Sequence, residues 1–159
     1  YDTLTCSNPA VVNIMLSEKF SREACKGGLE AKAHRLVFAL RAAYDAALQH
    51  VDILVTPCAP TVAMPHPNPK GRDGRRASIL DRLGVAVGLT SNTCPFNVTG
   101  HPGMNVHCGF STTEGHPGVP LPVGMQIVAR HWADEQLIEA AALFERGREI
   151  LESTSDRSE

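Results

Sequence analysis

Residues 92–128 read NTCPFNVTGHPGMNVHCGFSTTEGHPGVPLPVGMQIV, and the prediction of the fold starts from this stretch. It contains two short apolar runs, Met104–Cys108 and Val123–Val128, each preceded by glycine or proline. The residues between them, 111–122, are mostly Gly, Pro, Ser and Thr. Short apolar runs bounded by such residues are typical of strands, so the pattern predicts two strands joined by an exposed loop.

The same stretch contains three glycines, Gly100, Gly103 and Gly109. Glycine is favoured where the backbone must turn or pass close to another segment. We therefore expect Gly100 and Gly109 to have conformations or close contacts that other residues cannot meet.

Outside this stretch the sequence predicts helices and a further strand. Apolar residues recur at helical spacing from Leu29 to Gln49, which predicts a long amphipathic helix. The next segment, Asp52–Thr56, has three consecutive apolar residues, which favours a strand covered on both faces in a parallel or mixed sheet. Further helices are predicted at Ser78–Leu89 and from Asp134 onward, where Asp134 is a suitable N-cap. The expected fold class is α/β, with a mixed β-sheet covered by helices.

Composition places the chain among ordinary globular proteins. It has 159 residues, 43% hydrophobic and 20% charged, with a formal net charge of −2. We expect one domain over residues 1–150 and a disordered polar tail over 151–159. No apolar run is long enough for a membrane helix, and no basic surplus indicates a nucleic-acid partner. Five cysteines without a CxxC pair favour a reduced, cytoplasmic setting.

Several motifs in the chain resemble the C-terminal part of the amidase signature family. The resemblance rests on Pro95–Gly103 (PFNVTGHPG), Cys108–Phe110 (CGF) and Pro120–Val128 (PLPVGMQIV). Val51–Pro57 upstream and Trp132–Glu135 downstream extend it in the family's order, so that it covers about residues 40–147. The residues of these motifs are most similar to those of fungal-type acetamidases and general amidases. The resemblance implies a partial amidase-signature fold containing the C-terminal part only.

The resemblance also implies a reaction, the hydrolysis of a carboxamide to a carboxylate and ammonia by acyl transfer to a serine. The family uses a serine nucleophile, a bridging serine and a neutral lysine, all in a region preceding the motifs found here. This chain has no comparable Gly/Ser-rich loop, so we expect no catalytic residue in it and no activity from it alone. In related amidases the segment that corresponds to residues 90–93 borders the acyl-binding pocket. The resemblance therefore makes Thr90, Ser91 and Thr93 the expected substrate-binding residues.

The residues themselves suggest other sites, which we weigh against plain structural roles. His107 and Cys108 could form a nucleophilic pair, but neighbouring residues on a strand point to opposite faces, so Cys108 is expected to be a small buried residue. Asn97 is expected to bond the turn before Gly100. A zinc site would have the right residue types but lacks paired spacing, so no metal is expected; its candidates are Cys94, His101, His107, Cys108 and His116.

A local group of basic residues, Lys70, Arg72, Arg75 and Arg76, is expected to be a solvated loop rather than a partner contact.

Three functions remain open at this point. The first is the C-terminal part of an amidase, which would need the missing N-terminal part and a small amide substrate but no cofactor. The second is the amidase subunit of a tRNA-dependent amidotransferase, although the net charge gives no support for direct tRNA contact. The third is an inactive fragment or packing module. Self-association into a homo-oligomer is left open.

Overall fold

The computed structural model describes residues 7–25, 27–66, 88–113 and 116–155, together with positions 70, 78, 82 and 84. The described part contains four helices and three strands. In chain order they are α1 Pro9–Ala24, α2 Leu29–Leu48, β1 Leu54–Pro57, α3 Cys94–Thr99, β2 Gly103–Thr113, β3 His116–Val128 and α4 Asp134–Ser155. None of the helices in these ranges combines the length and the hydrophobicity that a membrane span requires.

The first two helices begin at residues suited to a helix start. The Asn8 side chain accepts a hydrogen bond from the Ala10 N–H at 2.9 Å, which satisfies one of the free donors of α1. Helix α2 begins after Gly28, whose φ of 79° is in the left-handed region. It ends with Gln49 as its C-cap, so the predicted helix Leu29–Gln49 is confirmed almost to the residue.

The three strands form one sheet in the order β1-β3-β2, with both pairings antiparallel. Leu54 pairs with Val128, and Met104 pairs with Ile127. The α/β class is confirmed, but the parallel or mixed arrangement expected from the apolar run is not found among the described strands. Strand β1 lies at a sheet edge and alternates in burial, with Val55 55% exposed, so its apolar run does not mark a strand covered on both faces.

The hairpin is longer than the sequence indicated. The predicted loop 111–122 is largely strand, because β2 continues to Thr113 and β3 begins at His116. Three prolines, at 117, 120 and 122, lie in this half of β3. Strand β1 pairs with β3 only from Met125 onward, so the outer edge of β3 has no described partner along the proline half. A missing proline N–H costs little at such an edge.

The core lies between the sheet and α4. Val106, Ile127, Ala129 and Leu137 are buried together, and Phe144 packs against them. Alternate residues of a strand point to opposite faces, so Gln126 lies on the other face from Ile127. That second face meets the segment preceding α3, through hydrogen bonds made by Gln126. Helices α2 and α3 pack together through Tyr44 and Phe96, whose ring centroids are 4.9 Å apart.

The start of α4 at Asp134 is confirmed, but its end lies further on than expected. Residues 151–155 of the predicted disordered tail are helical, and 156–159 lie outside the described residues. Most of the predicted helix Ser78–Leu89 also lies outside them, although the Arg82 N–H bonds the Ser78 carbonyl at 3.2 Å. Of the basic group only Lys70 is described; Arg72, Arg75 and Arg76 are not.

The two glycines singled out in the sequence have positive φ values. Gly100 ends α3 with a φ of 81°, and Gly109 has a φ of 145° at a register shift in β2. Both values favour glycine strongly over residues with a Cβ atom. The expectation of special backbone conformations at these two positions is therefore confirmed.

Candidate functional site

A cleft of about 500 Å³ lies between α2, β1 and the segment that leads into α3. Tyr44 and the residues of β1 form one side, while Ser91 and Asn92 form part of the other. Phe96, which is buried, also contributes to the wall. The cleft thus combines apolar and polar groups on three different elements, as small-molecule sites commonly do.

The side chain of Gln126 holds this wall in place. Its Nε2 donates to the Thr56 hydroxyl at 3.3 Å and to the Asn92 carbonyl at 3.2 Å. Asn92 Nδ2 in turn donates to the Pro57 carbonyl at 3.0 Å. Gln126 is only 6% exposed, so these bonds satisfy an amide that would otherwise be buried without a partner. The glutamine of the PLPVGMQIV motif therefore links β3 to both sides of the cleft.

The three predicted substrate-binding residues occupy different places. Ser91 is exposed and lines the cleft. Thr93 instead donates its hydroxyl to the Thr90 carbonyl at 3.2 Å, and the N–H groups of Thr93 and Cys94 bond the same carbonyl. Thr90 and Thr93 thus form the turn that begins α3, and among the described wall residues of the cleft only Ser91 represents the predicted set.

The alternative sites considered from the sequence have ordinary structural surroundings. His107 packs edge-on against Phe110, with ring centroids 4.8 Å apart. The Cys108 thiol, half-buried rather than fully buried, donates to the Val123 carbonyl at 3.5 Å. Asn97 is exposed on α3, and the turn before Gly100 is closed by the Gly100 N–H bonding the Phe96 carbonyl at 2.8 Å.

The predicted zinc candidates do not converge within the described residues. Cys94 is exposed near Thr90, and the side chain of His116 lies outside the described part. His101 belongs to a different group. Among the side chains that the structure describes, the one set of three potential metal ligands within 4.8 Å of one another is Asp45, His101 and His131.

This group, which we call the histidine cluster, joins α2 to the loops after α3 and β3. His101 Nε2 lies 3.1 Å from Asp45 Oδ1, and His131 Nε2 lies 3.9 Å from the same oxygen. The two imidazole rings stack with centroids 4.2 Å apart. His101 Nδ1 lies 2.9 Å from the Thr99 hydroxyl. The Thr99 carbonyl accepts from Arg41 Nε at 2.7 Å, which fixes the segment carrying His101.

Burial lowers the pKa of His101 below its ordinary value, since its side chain has no solvent exposure. The hydrogen bond and charge of Asp45 oppose this effect, whereas the charges of His131 and Arg41 reinforce it. The imidazole is therefore held in its neutral form near neutral pH. One ring nitrogen then carries a proton and the other offers a lone pair.

Thr99, His101 and Asp45 follow the order hydroxyl, imidazole, carboxylate that nucleophilic sites use. Thr99 has no solvent exposure, however, and it does not line the cleft. A substrate carbonyl cannot reach its oxygen, so this chain of contacts stabilises the junction of α2 and α3 rather than performing acyl transfer.

Sequence reasoning missed the histidine cluster because its members are far apart along the chain. Asp45 lies on the exposed side of a predicted helix, and His131 follows the last strand with no motif around it. Only His101 had a signal, its place in the Gly-His-Pro turn. His131 is followed by Trp132, which has a φ of 66° and is 94% exposed.

Comparison with known proteins identifies the family. The model of the family described as Amidase matches residues 5–138. A Rhodococcus erythropolis protein named "Uncharacterized protein in nthA 5'region" is 38% identical over 83% of this chain and 60% of its own length. An enantioselective amidase from Rhodococcus rhodochrous is 35% identical over 80% of this chain and 22% of its own length.

One subunit of the glutamyl-tRNA(Gln) amidotransferase from Mycobacterium ulcerans is 38% identical over 69% of this chain and 19% of its own length. The chain therefore spans from about a fifth to three fifths of the length of these three relatives. With a family match over residues 5–138, and with the motifs of the α3 to β3 region in the family's order, the chain belongs to the amidase signature family.

Proposed function

We propose that this chain is the C-terminal part of an amidase that hydrolyses a carboxamide to a carboxylate and ammonia. The observation that carries the proposal is the family match over residues 5–138 in a chain that spans only 22% of the enantioselective amidase. The serine nucleophile, bridging serine and lysine of the family would then belong to a catalytic portion outside this chain. Within this chain the proposal assigns no catalytic residue.

In the complete enzyme this chain would supply one wall of the substrate pocket. The cleft beside α3 is open to solvent along Ser91, and its walls are held by the Gln126 hydrogen bonds. An exposed hydroxyl beside an apolar surface suits recognition of an amide with an organic acyl group. We assign direct substrate contact to Ser91. Thr90 and Thr93 would take part by forming the turn that positions Ser91.

The exposed apolar surface supports a missing partner. Twenty large hydrophobic residues of the described part are exposed, against eight hydrophobic residues that are buried. Five of the exposed ones belong to α1 alone: Val11, Ile14, Met15, Leu16 and Phe20. Such a surface is typical of an interface with another protein segment. The proposed occupant is the N-terminal catalytic portion of the amidase.

Two assays test this proposal together. The purified chain alone should give no hydrolysis of acetamide or benzamide above buffer. A chimera that carries this chain in place of the matching segment of the Rhodococcus rhodochrous enantioselective amidase should hydrolyse amides. In that chimera Ser91→Ala should raise KM or lower kcat, whereas Ser111→Ala, at an exposed site on β2 away from the cleft, should change neither.

Amide hydrolysis by the isolated chain would contradict the proposal if the activity persists when Cys58, Cys94 and Cys108 are each replaced by alanine. Turnover that disappears with Cys108→Ala alone would instead identify a cysteine nucleophile. A chimera that folds but has no activity would also overturn the assignment of this chain as a functional amidase segment.

A second candidate is the amidase subunit of a tRNA-dependent amidotransferase. It is supported by the 38% identity to the Mycobacterium ulcerans amidotransferase subunit. Its test is dependence on partner subunits: a chimera built on that Mycobacterium ulcerans protein should become active only in its complex. The four described cysteines are free, which favours a reducing compartment for either enzyme, and we propose the cytoplasm.

A further inference from the structure

The histidine cluster leaves one polar atom unexplained. His131 Nε2 is buried and has no hydrogen-bond partner among the described residues. Its nearest acceptor, Asp45 Oδ1, is 3.9 Å away, which is too far for a hydrogen bond. Buried polar atoms are nearly always paired, so this imidazole nitrogen, which faces a carboxylate, is expected to have a further partner.

The geometry of the cluster fits a divalent transition metal. Two ligand nitrogens or oxygens on a tetrahedral Zn²⁺ lie about 3.4 Å apart, since each bond is about 2.0–2.1 Å long. The two measured separations, 3.1 Å and 3.9 Å, lie on either side of that value. All three ligand atoms lie within 4.8 Å of one another. The third separation, between the ligand nitrogens of His101 and His131, is at most 4.8 Å, so the His131 side chain would have to move for all three atoms to enter one coordination sphere.

The surroundings of His101 match those of a metal-bound histidine. Metal-ligating imidazoles usually donate their second N–H to an oxygen that fixes the ring. Here the His101 Nε2–H faces Asp45 and Nδ1 lies 2.9 Å from the Thr99 hydroxyl, so a metal ion bound at Nε2 would require the ring proton to move to Nδ1, where Thr99 can accept it. The positive charge of Arg41 nearby opposes a cation and should weaken the site.

We infer that Asp45, His101 and His131 form a binding site for one divalent transition metal ion of the class that imidazole prefers, such as Zn²⁺. The carboxylate of Asp45 is about half exposed, so water can reach the site and complete the coordination. The site lies at the junction of α2 with the loops after α3 and β3. It is separate from the cleft that contains Ser91, and its proposed role is to hold these three elements together.

The test is metal binding by the full 159-residue chain after treatment with a chelator. Zn²⁺ is titrated by calorimetry, with Mg²⁺ as the control ion, and Co²⁺ is added for its visible spectrum. We expect one Zn²⁺ per chain, no heat with Mg²⁺, a rise in melting temperature of several degrees, and a Co²⁺ spectrum without a thiolate band. The absence of a thiolate band would distinguish binding at the histidine cluster from binding at the free cysteines.

Two variants make the test specific. His131→Gln and Asp45→Asn each remove one ligand with little change of shape, so each should weaken Zn²⁺ binding at least tenfold. His107→Gln, at a histidine that packs on Phe110 away from the cluster, is the matched control and should bind as the parent does. Circular dichroism confirms that each variant is folded.

Three results would overturn the inference: no Zn²⁺ binding at micromolar concentrations, binding that persists unchanged in both variants, or a Co²⁺ thiolate band that disappears when the cysteines are replaced. If His131→Gln proves unfolded, the Asp45→Asn variant alone decides, because Asp45 is exposed on α2 and its replacement leaves the core intact.

Discussion

At the scale of single residues, Gln126 shows how a motif residue acts. The sequence motif contained the glutamine, but its two acceptors come from Thr56 and Asn92, which are 70 and 34 residues away. No spacing rule reveals such partners. What the sequence could predict was that the residue lies on a strand, and the structure adds that it faces away from the α4 core.

Replacing Gln126 by leucine should destabilise the chain by about 1–3 kcal/mol, because the half-buried Thr56 hydroxyl and Asn92 carbonyl lose their donor. Urea unfolding measures the cost. Gln136→Leu, at a half-buried position of α4, is the matched control and should cost much less. Equal losses in the two variants would show that the hydrogen bonds contribute nothing specific.

His101 predicts a pH dependence of stability in the metal-free chain. Its pKa is lowered in the folded state, so between the folded and unfolded values the unfolded chain binds more protons. The contribution of His101 to the free energy of unfolding should therefore be constant above about pH 6.5, the ordinary histidine value, and should fall as the pH drops from there to the folded pKa. Asp45, His131 and Arg41 are the charged or titratable groups that face His101.

Urea unfolding at a series of pH values, with chelator present, measures this slope. His101→Gln should flatten it, whereas His50→Gln, at an exposed position after α2, should leave it unchanged. An equally steep slope in the His101→Gln variant would assign the pH dependence to other groups.

At the scale of elements, the sequence was most informative where a periodic pattern is long. The stripe of α2 predicted its bounds to within one residue, because twenty residues of helical spacing leave little ambiguity. The apolar run at Ile53 was less informative, since consecutive apolar residues can be buried by segments outside the chain as well as within it. The hairpin length was also missed, because glycines and prolines that usually end strands are tolerated on its open edge.

Replacement by alanine should change the stability of the chain in opposite directions at two glycines. Gly100 has a φ of 81°, so Gly100→Ala should cost about 1–2 kcal/mol of stability. Gly147 lies inside α4, and a Cβ atom there would meet nothing within 4 Å. Gly147→Ala should then stabilise the chain by up to about 1 kcal/mol, since alanine favours helix. Thermal unfolding of both variants checks the signs, and a stabilising Gly100→Ala would contradict the backbone argument.

At the scale of the whole molecule, the balance between buried and exposed apolar residues governs behaviour in solution. The sheet has α4 on one face, while β1 and β2 each leave an edge without a described partner strand. Open edges and exposed apolar side chains promote association. The exposure of these apolar side chains could not be predicted from the sequence, because helical spacing shows which residues share a face and not what covers that face.

The chain should therefore bind a hydrophobic dye and self-associate, because large apolar side chains of its described helices are exposed. Sedimentation velocity and dye fluorescence measure this, and the chimera with the amidase N-terminal portion should show less of both. A monodisperse monomer that melts cooperatively and binds no dye would show that the chain closes its own core.

The exposure of Trp132 gives the molecule a built-in optical reporter. It is the only tryptophan in the chain, so all indole emission comes from one position. At 94% exposure the ring is almost fully hydrated, and its emission should lie at the long-wavelength limit. Any surface that covers it will shift the emission towards the blue, and a paramagnetic ion bound at the neighbouring His131 will quench it. One spectrum without any label can therefore test both proposals, the docking of a catalytic portion and the binding of a metal ion at the histidine cluster.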